Sequence, residues 1–162
     1  MKDLQPSALN CFVCGVENRF GLHIRFYTTG PREVTAEVNL ADCYQGYPGI
    51  VHGGIIASML DEVASRTVFT PSRIVVTAKL DVRYRKPTPV NTPLRLVGRL
   101  IEERGRVCKA SAQLLTQAGL VLADADVTLI EVPSNFLGDM TPIDEQGWQV
   151  YPDFDPASRG ET

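Results

Sequence analysis

Only one stretch of this sequence keeps the apolar spacing of a helix, and it lies between stretches that alternate. From Gly54 to Phe69 the apolar residues Ile55, Ile56, Met59, Leu60, Val63 and Val68 recur every three or four positions, and no proline intervenes before Pro71. Period-two patterns flank it at Leu22–Thr28 and Glu33–Leu40 on one side. On the other side they run through Ile74–Tyr84, Leu94–Glu103, Val107–Thr116 and Leu120–Val132. In the first of these later strands, Ile74, Val76, Ala78, Leu80, Val82 and Tyr84 share one face, while Thr77, Lys79, Asp81, Arg83 and Arg85 share the other. Tight-turn residues at Thr29-Gly30-Pro31, Arg104-Gly105 and Gln117-Ala118-Gly119 join neighbouring strands. The order β-β-α-β-β-β-β predicts an α+β chain in which a six-stranded antiparallel sheet wraps one long central helix.

At 162 residues the chain has room for one core. The expected organisation is an N-terminal segment over 1–21, a folded unit over 22–132 and a C-terminal tail over 133–162. Net charge is −3, but residues 132–162 hold six acids against one base, a net of −5, so the first 131 residues carry +2. That balance excludes a nucleic-acid grip and suits a small anionic ligand. The uncharged stretch from Pro48 to Leu60 is too short and glycine-rich to span a bilayer, and the first residues lack a secretory apolar run, so a cytoplasmic protein with no membrane partner is expected. The tail keeps Phe136, Trp148, Tyr151 and Phe154, too many aromatics for a disordered segment, and is expected to dock on the body or on a neighbouring subunit.

The segment Gly49-Ile-Val-His52-Gly53-Gly54 leads straight into the helix. A helix start exposes backbone N–H groups and about half a positive charge, and glycines there let a carbonyl oxygen approach without a Cβ in the way. Gly53 or Gly54 is therefore a candidate oxyanion donor. Further along, Gly54, Ser58, Asp61 and Ser65 form a stripe of small or polar residues. Asp61 has no basic partner one turn away, since positions 57 and 65 are Ala and Ser, which points to chemistry more than to helix stability. Glu62, four before Arg66, reads instead as a solvated helix pair. Seven residues separate Gly54 from Asp61, about 10 Å along the axis. The two meet one substrate only if a second subunit brings its own helix alongside, which predicts a site shared in a dimer.

The pair Cys11-x-x-Cys14 is half of a zinc clamp. A structural site needs two more ligands from Cys43, Cys108, His23 or His52, and no second close pair exists. Small buried thiols are the simpler expectation, with no metal and no organic cofactor.

Taken together, Cys11-Phe-Val-Cys14-Gly, Gly21-Leu22, Tyr44-Gln-Gly-Tyr47-Pro-Gly-Ile-Val-His52-Gly-Gly54, Asp61, and Ile74-Val-Val-Thr77-Ala through Tyr84-Arg-Lys-Pro87 resemble the hotdog-fold acyl-coenzyme A thioesterases. The likeness is nearest to the phenylacetate-pathway type and the subgroup containing thioesterase superfamily member four. It spans residues 11–131, and Asn18-Arg19-Phe20 departs from the Asn-Pro that often precedes Gly-Leu in the family. The resemblance implies a helix wrapped by an antiparallel sheet, with two subunits joined edge to edge in a homodimer that often assembles into a homotetramer. It also implies Gly53 as the donor that polarises the thioester carbonyl, Asp61 as a catalytic carboxylate supplied by the partner, His52 as a substrate-positioning group and Thr77 as a hydroxyl that positions water or carboxylate. Arg83, Arg85 and Lys86 are candidates for the phosphates of coenzyme A, and Tyr44, Tyr47 and Met59 for the acyl pocket. The expected reaction is hydrolysis of a small or medium acyl-coenzyme A thioester. The alternatives are a non-catalytic acyl-coenzyme A binding protein and a hotdog dehydratase or hydratase.

Overall fold

The structure is a computed structural model that describes residues 2–70, 73–133, 136 and 148–155. Its strands are β1 (Asp3–Leu4), β2 (Tyr27–Gly30), β3 (Glu33–Val38), β4 (Val75–Tyr84), β5 (Leu94–Arg104), β6 (Val107–Thr116) and β7 (Val121–Glu131), with a short 3-10 turn (Asp42–Tyr44) and, alone among the described residues, an α-helix α1 (Gly53–Ser65) between β3 and β4. All pairings are antiparallel and the sheet order is β1-β2-β3-β5-β6-β7-β4. The sheet therefore has seven strands where six are expected. The addition is β1, two residues long, which pairs with β2.

The apolar face of α1 is the centre of the core. Ile56, Met59, Leu60, Val63 and Ala64 are buried against inward-facing residues such as Leu96, Ala112, Leu114, Ala125 and Leu129. The helix lies close to the sheet at Gly98 of β5, where a Cβ would stand 2.3 Å from the Val63 carbonyl oxygen. Any side chain at position 98 would push the layers apart. The helix ends at Ser65 rather than running to Phe69. There the hydroxyls of Ser65 and Thr67 donate to the carbonyls of Glu62 and Ala64, competing with continued helix.

The stretch Leu22–Phe26 alternates as expected and buries Ile24 and Phe26, yet joins no ladder. Its backbone is taken by the N-terminal segment instead: Leu22 N–H donates to Phe12 O, Ile24 N–H to Val13 O, and Phe26 O accepts from Gln5 N–H. His23, at φ 54°, breaks the strand geometry.

Residues 148–155 of the tail dock on the body, whereas Phe136 is 60% exposed. Gln149 bridges to Ser7 through two backbone hydrogen bonds, Trp148 stacks on Phe69 at 4.9 Å, and the Arg25 guanidinium donates to the carbonyls of Tyr151, Pro152 and Phe154. Of the other acids predicted to mark the tail, Asp139, Asp144, Glu145 and Glu161 lie outside the described residues. Among the described residues no helix is long and apolar enough to cross a membrane.

Candidate active site

The loop before α1 is closed by short-range backbone bonds. Gly46 N–H donates to Ile50 O at 2.8 Å and His52 N–H to Tyr44 O at 2.9 Å, which aims His52 at the helix start as its N-cap. The His52 Nδ1 accepts from Gly54 N–H at 2.9 Å, and the His52 carbonyl accepts from Ile55 and Ile56. Accepting at Nδ1 leaves the proton of the neutral ring on Nε2. The cap has a consequence for the two candidate donors. Gly54 N–H is consumed by His52, while Gly53 N–H has no acceptor among the described residues. Gly54 is thus excluded as a free donor in this arrangement, and the open N–H of the helix start is that of Gly53. The Gly53 carbonyl accepts from the Tyr84 hydroxyl at 2.8 Å, tying the helix start to the far end of β4.

Asp61 lies eight residues beyond Gly53, about 12 Å along α1. It is half-buried, and the Thr77 hydroxyl of β4 donates to its Oδ1 at 2.7 Å. Burial raises the Asp61 carboxyl above its ordinary value; the Thr77 hydrogen bond pulls it back in part, and the neighbouring Glu62 charge pushes it up again. A carboxylate whose charged form is held at some cost is a better proton acceptor than a free one.

Thr77 reaches Asp61 because the strand breaks its own period. Along β4 the pairing with β7 runs Thr77–Leu129 and then Lys79–Thr128, so Ala78 is an extra residue in a bulge. Val75 packs on the core before the bulge, and Leu80 and Val82 pack on it afterwards. Strict alternation puts Thr77 opposite to Leu80, Val82 and Tyr84. The bulge turns Thr77 toward the helix along with them, so that β4 touches α1 at both candidate site residues, Thr77 at Asp61 and Tyr84 at Gly53. Sequence reasoning missed the role of Tyr84, and also that of Ser58, whose hydroxyl donates to Gly54 O at 2.9 Å. Ser58 lay on the predicted stripe; no local signal marked Tyr84.

Other candidates are placed differently from expectation. Arg83 bridges Asp124 and Asp126, and Arg85 pairs with Asp124, so their charges are already answered on the sheet surface. Lys86 is exposed and in no ion pair among the described residues. Tyr47 is 80% exposed at a loop tip, Tyr44 donates from its hydroxyl to Gly21 O, and Met59 is fully buried in the core rather than lining an open pocket. The Glu62–Arg66 pair is not solvated: Arg66 is 2% exposed, Nε donates to Glu62 at 2.9 Å, and the guanidinium lies over the rings of Phe26, Phe69 and Trp148. Cys11 and Cys14 gather neither a further cysteine nor a histidine; the third group beside them is Glu62.

Residues 48–123, from the loop before α1 into β7, match the family model described as Thioesterase superfamily. The match covers a little under half of the chain. The fold of the chain is that of the hotdog thioesterases: a solved thioesterase superfamily protein, RHA08564, superposes with a TM-score of 0.70 at 31% identity, covering 75% of this chain and 60% of that one. A Streptococcus pneumoniae TIGR4 hypothetical thioesterase, solved with coenzyme A, shares the fold at a TM-score of 0.62 and 17% identity, over 67% of this chain and 88% of that one. Among curated proteins, the Rattus norvegicus acyl-coenzyme A thioesterase THEM4 is 31% identical over 106 residues, which is 65% of this chain and 46% of that protein. The chain thus spans less than half the length of that relative.

Proposed function

We propose that this protein hydrolyses small or medium acyl-coenzyme A thioesters at a site built from two copies of the chain. The observation that carries the reading is the division of labour along one exposed flank of α1. An open N–H at Gly53 stands at one end, the Asp61 carboxyl, raised by burial above its ordinary value, at the other, and no single chain brings them within reach of one small group.

The strand beside both stations supports the dimer. β4 is ten residues long and forms one edge of the sheet, a row of backbone groups open to a further strand. Two copies of β4 paired antiparallel about a two-fold axis near Leu80 and Asp81 set the Thr77 end of one strand beside the Tyr84 end of its partner. Asp61 then faces Gly53 of the partner subunit. The thioester carbonyl accepts from the Gly53 N–H, the developing oxyanion is stabilised by the positive end of the helix, and Asp61, oriented by Thr77, attacks directly or draws a proton from water. The His52 ring offers its Nε2 proton at the mouth of this site. Lys86 is the cation of the predicted trio left to meet a coenzyme A phosphate, since Arg83 and Arg85 are engaged by aspartates. The Streptococcus relative was solved with coenzyme A and the rat relative is named for acyl-coenzyme A, which supports that substrate class. Two dimers stacked as a homotetramer complete the proposed assembly.

A panel of short-chain, long-chain and aryl acyl-coenzyme A thioesters, assayed by release of the free thiol, tests the activity, with sedimentation to establish the oligomer. The proposal expects turnover on at least one member, by a dimer or a multiple of it. A protein that binds acyl-coenzyme A and hydrolyses none of the panel is a binding protein instead, and a strictly monomeric active enzyme removes the shared site.

A further inference from the structure

The N-terminal turn carries a cluster that thioester hydrolysis leaves unused. Cys11, Cys14 and Glu62 place two sulfurs and a carboxylate oxygen within 4.8 Å of one another. Gly15 N–H closes the turn on Cys11 O at 2.9 Å, and Val13 N–H donates to the Cys11 sulfur at 3.4 Å. The two thiols are unequal. Cys14 is 1% exposed, whereas Cys11 is half-buried and open to a small reagent. Donation from the Cys14 thiol, helped by backbone N–H groups, brings Cys11 down to about 7 against the opposing effects of burial and of Glu62. The same pairing, together with burial, pushes Cys14 well above the ordinary thiol range.

A metal fits this cluster poorly. A closed zinc site takes four ligands, yet among the described residues no fourth His, Cys, Asp or Glu joins the three. Glu62 already accepts from Arg66 Nε, whose buried guanidinium sets a positive charge beside any cation. One reachable thiolate backed by one hidden thiol is instead the arrangement of an exchanging dithiol. Residues three apart in a turn have Cα atoms under about 7 Å apart, and a disulfide spans about 4.4–6.8 Å.

We infer that Cys11 and Cys14 form a redox-active dithiol that small organic disulfides oxidise to an intramolecular disulfide. The Cys11 thiolate attacks one sulfur of the reagent, forming a mixed disulfide and releasing one thiolate. The Cys14 thiol then attacks the Cys11 sulfur, giving up its proton and expelling the second thiolate. The protein loses two electrons and two protons, and the reagent becomes two thiols. Cys14 resolves rather than attacks because its sulfur is sealed from solvent.

The test uses the full chain carrying Cys43→Ser, which removes the exposed thiol, incubated with oxidised glutathione at pH 7, quenched in acid and alkylated. Mass spectrometry of the tryptic peptide Asp3–Arg19 is expected to show the loss of two hydrogen masses and no alkyl group. Cys14→Ala is expected to stop at a persistent Cys11–glutathione adduct, and Cys11→Ala to leave Cys14 unmodified. Restoring an ordinary thiol pKa to Cys11 in Cys14→Ala should slow its alkylation by iodoacetamide at pH 7 about threefold, the lost thiolate fraction being offset in part by a more nucleophilic sulfur. Even without the variants, the parent decides the matter. Both cysteines staying fully alkylatable, an adduct at Cys11 that never resolves, or a stoichiometric metal whose removal is needed before either thiol reacts would each overturn the proposal.

Discussion

Asp61 and Glu62 are consecutive acids on one helix, and the fold treats them oppositely. Glu62 faces the flank of α1 sealed by the N-terminal segment and the docked tail, where the Arg66 guanidinium meets it and Phe26, Phe69 and Trp148 enclose the cation. Asp61 faces the flank beside the open edge strand, where it has a hydroxyl for a partner and, among the described residues, no cation. A charge neutralised inside the molecule holds structure together; a charge only half accommodated is kept ready for something outside it. The difference between the paired acid and the candidate catalytic acid is one of surroundings, not of residue type.

Substitutions on the two flanks should therefore separate activity from stability. The largest effect is expected for Asp61→Asn, about 10²–10⁴-fold in turnover with ligand affinity largely retained. Its thermal stability should hold or rise at neutral pH. Because the folded-state pKa of Asp61 is raised, ionisation makes a contribution against folding that grows as pH climbs from the unfolded value through the folded one, and Asn removes it. Scanning calorimetry beside a turnover assay checks both halves. Arg66→Ala should do the reverse on the sealed flank. Breaking a buried pair costs about 3–5 kcal/mol, which for a chain of this size lowers Tm by roughly 6–20 °C, while turnover per folded molecule persists well below that Tm.

A subtler break in the contrast comes at Thr77. Thr77→Val removes the hydrogen bond that holds the Asp61 carboxyl down, so its pKa should rise further. On the proposed mechanism Asp61 acts ionised, so the acid limb of the pH–rate profile should move to higher pH in the variant. A profile that stays put would mean that another group controls the limb. The smallest effect is expected for Trp148→Ala, which removes the stack on Phe69 and one wall around Arg66. A loss of about 1–2 kcal/mol in chemical denaturation with unchanged turnover would mark the tail as a clamp on the structural flank only.

The legible and illegible parts of the site divide on a physical line. The helix, its apolar face, the Gly-Gly start and the lack of a basic residue one turn from Asp61 can all be read from neighbours within two turns. Arg66 was misread because an i,i+4 Glu–Arg pair is ordinarily a surface feature. What buries it is a cage in which Phe69, one turn on, is joined by Phe26 and Trp148, both distant in sequence. The first alternating strand misled for a related reason. Its side chains obey the period, but its backbone found partners in the N-terminal turn. The acceptor that takes the Gly54 N–H stands only two positions away, but its ring nitrogen is aimed by the loop path from Tyr44 to His52, which the local sequence does not reveal.

What the sequence by itself determined was the single helix among strands, the small-residue stripe along it and the chemistry of the residues on that stripe, since side-chain periodicity and local hydrogen-bonding capacity are written into consecutive positions. Only the tertiary structure decided which of two adjacent acids would be neutralised, that a bulge at Ala78 would turn Thr77 onto Asp61, and that Tyr84 would hold Gly53. Those outcomes depend on where burial and charge from remote segments converge, and no local period encodes the meeting point.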